Sequence, residues 1–93
     1  MKIYIGEDIW ISKENILGTF TQKTLLKSKD GRAFLSYFEK NSLIYKIERE
    51  VNSYILTIDG DNMRLYESNV STKSIKNKVN EKFKVKGLKE LDE

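Results

Sequence analysis

Apolar residues at the start of the chain recur with a period of two. Ile3 and Ile5 fall on one face of an extended segment; after "GED", Ile9 and Ile11 share a face of a second segment, with Trp10 opposite. Side chains alternate along a strand, so this pattern predicts a β-hairpin with one buried face. "SKEN" supplies turn-forming residues. "ILGTF" then resumes as a third strand, in which Gly18 permits a bulge or a close backbone approach.

The period changes between Thr21 and Asn41, where Phe34, Tyr37 and Phe38 recur at helical offsets. A helix from Lys29 to Lys40 is predicted, with Ser28 or Asp30 offering an oxygen to its first free amides. Gly31 weakens its first turn by up to about 1 kcal/mol relative to alanine. Farther on, "YILTI" and "MRLYE" flank "DGDN", whose Asp-Gly step suits the positive dihedrals of a tight hairpin turn. "LIYKIE" reads as an earlier strand joined to this hairpin by "REVNS". In the last strand, Arg64 and Tyr66 face away from Met63 and Leu65. Ser71 caps a final segment in which Ile75, Val79 and Phe83 repeat every four residues, the stripe of an amphipathic helix. "KFKVK" beyond it reads as a short strand or a frayed tail. Together these elements predict an α+β fold: a small, mostly antiparallel sheet of five or six strands, one central helix and a basic C-terminal helix. A single domain spans 1–84, followed by a charged tail over 85–93.

Ninety-three residues bury only a modest share of their surface, so self-association is expected from size alone. Charge sharpens this picture. Residues 1–70 hold ten basic and ten acidic side chains, and the body is therefore neutral. Between Ser71 and Lys89 seven lysines face Glu81 alone, so the whole net charge of +3 arises at one end.

The chain has neither cysteine nor histidine, which excludes disulfides, thiolate zinc sites, thiol nucleophiles and imidazole acid–base chemistry. Asp59 and Asp61 belong to a turn with no EF-hand loop around them, so no metal site is expected there. The pairs Glu7 with Asp8 and Glu48 with Glu50 read as solvated charges, and no glycine-rich phosphate loop is present. The expectation is a protein that is not an enzyme and needs no cofactor, metal or small-molecule substrate. No run approaches the ~20 apolar residues of a membrane span, and the start lacks a signal-peptide pattern, so a cytoplasmic protein without a membrane partner is expected. Trp10 reads as a core or subunit-interface residue, with base stacking as the competing role. Tyr45, Tyr54 and Tyr66 read as sheet packing, although they interleave with Lys46, Arg49 and Arg64 in a way that suits single-strand binding.

"IYIGEDIWISKENILGTF" at the start and "YILTIDGDNMRLYESNVSTKSIKNKV" near the end resemble the small bacterial extracellular-matrix regulatory protein B (RemB-like) family. The resemblance covers about half of the chain. It implies a regulator of biofilm-matrix genes, related to RemA-like proteins that bind DNA as ring-shaped oligomers. In that related group an arginine ends the polar loop where this chain has Asn15, with Lys13 the nearest cation; Lys46 and Arg49 lie where the group has an arginine-rich loop. The functional expectation is a homo-oligomeric transcriptional regulator that binds or associates with duplex DNA. Lys13, Lys46, Arg49, Lys73, Lys76 and Lys78 would neutralise phosphates without reading bases. The alternative is an oligomeric protein-interaction or scaffold module that binds no nucleic acid.

Overall fold

The computed structural model describes residues 1–85, with side chains through residue 79. Strands β1 (Lys2–Tyr4) and β2 (Trp10–Ser12) form the expected opening hairpin, with Ile3 opposite Ile11. The "GED" turn between them has positive φ at Gly6, Glu7 and Asp8. A 3-10 turn over Lys13–Asn15 replaces the expected loop and leads into β3 (Ile16–Thr21). β3 pairs with β5 (Ser53–Asp59), and Leu17 is the extra residue of a bulge beside Gly18. β5 and β6 (Asn62–Ser68) form the long antiparallel hairpin around Gly60, whose φ of 65° lies in the left-handed region.

Three features depart from the sequence-based expectation. The strands form two sheets, not one: β1–β2 stands alone, and the second sheet has the order β3-β5-β6-β4. That second sheet is mixed, because β4 (Ile44–Tyr45) runs parallel to β6. The long strand expected at "LIYKIE" stops after two residues. There the Glu67 carboxylate accepts the Ile47 N–H at 3.0 Å, and a side chain takes over from the backbone ladder. Finally, a short helix that the sequence did not suggest, α1 (Gln22–Lys27), precedes the central helix, which forms over Lys29–Lys40 as expected (α2). Thr21 caps the first through a 2.9 Å bond from the Thr24 N–H, and Ser28 caps the second through a 2.9 Å bond from the Gly31 N–H.

The four-stranded sheet is covered on both faces. On one, Tyr54 and Leu65 pack with Leu25 of α1 and Phe38 of α2. On the other, Ile55 packs with Ile3, Ile5 and Ile11 of the hairpin and with Ile75 of α3 (Thr72–Val85). Burial on alternate sides explains the nearly continuous apolar run in β5. Two buried serines tie the second layer to the sheet. The Ser68 hydroxyl donates to the Ile5 carbonyl at 2.7 Å and accepts the Val70 N–H at 3.0 Å, while the Ser53 hydroxyl donates to the Val70 carbonyl at 2.6 Å. Buried polar groups carry little penalty when partnered in this way.

α3 begins as expected, with the Ser74 N–H donating to Ser71 Oγ at 3.1 Å. It continues through Val85, so helix replaces the strand alternative for "KFKV". Phe83, assigned to the apolar stripe, lies outside the described side chains, and the tail assigned to 85–93 lies outside the described residues beyond Val85. No helix among the described residues is long and apolar enough to cross a membrane.

Candidate nucleic-acid interface

α3 is held against the sheet by Ile75, which is fully buried, and by Val79, which packs on the same cluster. Helical periodicity then fixes where its cations stand. Lys73 and Lys76, three residues apart, share one exposed flank, while Lys78 leaves on the other side and is half-buried. None of the three pairs with a carboxylate among the described side chains, which end at residue 79 and so do not include Glu81. They rim the helix and do not form a single edge shaped for a groove of DNA.

The remaining expected cations do not join them. Lys46 follows β4 and pairs with Glu39 of α2. The hydrogen bond and the charge of Glu39 raise the Lys46 ammonium above its ordinary value. Arg49 donates through Nε to Glu7 at 3.1 Å, tying the loop before β5 to the "GED" turn. The Lys46–Glu39 pair is exposed on both sides and Glu7 is partly shielded in the other; solvent screening keeps the contribution of each to stability small. Their local effect is to cancel two positive charges. Lys13 sits in the 3-10 turn with its Nζ enclosed and without a hydrogen-bond partner among the described residues. The six residues therefore separate into an α3 group, two carboxylate-paired cations and one enclosed ammonium.

Trp10 is not a core residue: its side chain is 59% exposed and leans on Tyr4, with ring centroids 5.0 Å apart. The hairpin covers only part of its face of the sheet. Where it stops, an open groove of about 260 Å³ remains toward the β5–β6 turn. Trp10, Ser12 and Asn15 line one side, with Lys2 beside them; Thr57, Arg64 and Tyr66 of the sheet form the floor. Neither Lys2 nor Arg64 belongs to the expected set; Arg64 enters the sequence reading only through its interleaving with tyrosines. The alternation of Arg64 and Tyr66 was visible along β6. Nothing local in the sequence places β2 over that strand.

Tyr54 lies on the opposite face, buried beneath α1 and α2. Burial raises its phenol above the ordinary value; a hydrogen bond with Gln22 opposes this, and the nearby Glu67 and Glu39 charges add to it. It packs the sheet, as expected. Among the described residues no three Asp or Glu side chains gather to hold a metal ion. Comparison with protein-family models and with curated proteins returns no match.

Proposed function

We propose that the chain is a small DNA-associated regulator that acts as a homo-oligomer and grips duplex phosphates through α3. The observation carrying this reading is the contrast in cation pairing. Lys46 and Arg49 are neutralised by carboxylates, whereas Lys73, Lys76 and Lys78 have none among the described side chains. Lysines in that state release counterions when they meet a polyanion, giving affinity without base reading. Self-association would multiply a weak protomer's contribution, as a ring does. The two sheet edges favour assembly unequally. β4 is two residues long and is followed by the charged Lys46, which blunts its edge, whereas β3 offers six uncharged residues, "ILGTFT", with Leu17 exposed. Control of biofilm-matrix genes is the regulatory role that the RemB-like resemblance adds, and it places the protein in the cytoplasm without a catalytic task.

Fluorescence anisotropy with a labelled duplex across a salt series tests the proposal. Binding that weakens steeply with salt is expected; absence of binding at low salt, or insensitivity to salt, refutes it. The uncharged β3 edge also favours a second reading, an oligomeric scaffold whose lysines only confer solubility. Replacing Lys73, Lys76 and Lys78 with glutamine separates the two: a scaffold keeps its oligomer and its partners, and a DNA-associated regulator keeps its oligomer but loses the duplex.

A further inference from the structure

We infer that the groove beside Trp10 is a nucleotide-binding site that stacks one aromatic base and holds its phosphate. It shares no residue with α3, so it stands or falls separately from duplex binding.

Four observations converge on this ligand. The single tryptophan of the chain stands exposed at the groove, where a large apolar face in water gains from being covered. Its orientation is fixed by Tyr4, and Tyr66 on the floor is braced by Tyr45 with centroids 5.6 Å apart. Both rings therefore lose little freedom when a base stacks on them. Lys2 and Arg64 supply two positive charges against Asp59, the one carboxylate of the lining, and neither cation is ion-paired among the described residues. That net charge favours an anion over a neutral sugar, which also stacks on tryptophan. Ser12, Asn15 and Asn62 add hydrogen-bonding groups of the kind that read base or ribose edges.

Size narrows the choice. About 260 Å³ falls just below the ~300–1,000 Å³ of sites for drug-sized ligands. One base with its phosphate suits that space, and a dinucleotide cofactor does not. The groove is open to solvent, which leaves a path for a continuing single strand, so the same chemistry serves a free nucleotide or one unit of single-stranded nucleic acid.

Trp10 fluorescence reads the site directly, because no other tryptophan contributes. Titration with a nucleoside monophosphate and with the matching tetranucleotide should quench it saturably. Tighter binding of the tetranucleotide assigns the groove to single strands, and equal binding assigns it to free nucleotides. With a labelled tetranucleotide, or a labelled nucleoside monophosphate if that arm binds, Trp10→Ala should weaken binding about tenfold or more, as expected for loss of a stacked base. Trp10→Phe should restore most of it. Arg64→Gln and Lys2→Gln should weaken binding and flatten its salt dependence, and circular dichroism should show all four variants folded. Glutamine at Lys73, Lys76 and Lys78 should leave quenching unchanged. Absence of quenching, equal quenching by a neutral trisaccharide, or nucleotide affinity unaffected by Arg64→Gln and Trp10→Ala would overturn the assignment.

Discussion

Gly31→Ala sets a local preference against a tertiary contact. Alanine in a helical turn is favoured over glycine by up to about 1 kcal/mol, so propensity alone predicts a more stable protein. Packing predicts the opposite. A Cβ on Gly31 would overlap the Leu25 carbonyl oxygen and lie 2.8 Å from both the carbonyl carbon and the Cα of Leu25. These are backbone atoms of α1 and have no rotamer into which to retreat. Relief requires α1 and α2 to separate around Ser28, straining its bond from the Gly31 N–H and the 2.9 Å bond from Arg32 Nη1 to the Leu26 carbonyl. Overpacking of this kind costs about 1–3 kcal/mol, occasionally more. Against backbone atoms the cost falls in the upper part of that range, about 2–3 kcal/mol, so after the propensity gain the net expectation is a loss of about 1–2 kcal/mol, or roughly 4–16 °C in Tm for a domain of this size. Thermal melting followed by circular dichroism, with urea unfolding as a second measure, reads it. An unchanged or raised Tm would refute the close crossing of α1 and α2.

Ser68→Ala removes the hydroxyl that joins β6 to Ile5 and Val70, leaving the buried Ile5 carbonyl without that donor; urea unfolding should show a loss of about 1–3 kcal/mol. Tyr54 supplies a pH dependence. Its folded phenol is raised above the ordinary value of 10.0 by burial, so its contribution is fully present below pH 10 and is lost as pH rises through the folded value. Tyr54→Phe should therefore show a shallower decline in stability above pH 10 than the parent protein, measured by chemical unfolding from pH 8 to 11. Equal declines would remove Tyr54 as the cause.

The elements that carried their own local signal were legible in the chain. The β5–β6 hairpin announced itself through alternation around Asp59 and Gly60, and α2 and α3 through helical spacing and serine caps. α1 has six residues and a single buried side chain, Leu25, too little for a period to emerge. The parallel pairing of β4 depends on where α2 delivers the chain and on the Glu67 carboxylate that ends the strand, both of which are tertiary facts. Gly31 reads as a weak point of its helix until the Leu25 backbone is placed against it. At the candidate interface, the lack of ion pairs at Lys73, Lys76 and Lys78 among the described side chains matches a stretch of sequence that is poor in acidic residues. The neutralisation of Lys46 and Arg49 was not, since Glu39 and Glu7 reach them from other elements. The core reading of Trp10 fails for a related reason: apolar character implies burial, but the hairpin covers only part of the sheet and leaves the indole at the rim.

The most direct measurement is the salt dependence of duplex binding for the parent protein and for the variant with glutamine at Lys73, Lys76 and Lys78. Each phosphate neutralised contributes about −0.9 to the slope of log K against log salt, so loss of three contacts should flatten the slope by about 2.7 per bound protomer. Oligomeric mass should stay unchanged. Identical slopes for the two proteins would contradict the assignment of α3 as the phosphate-binding surface.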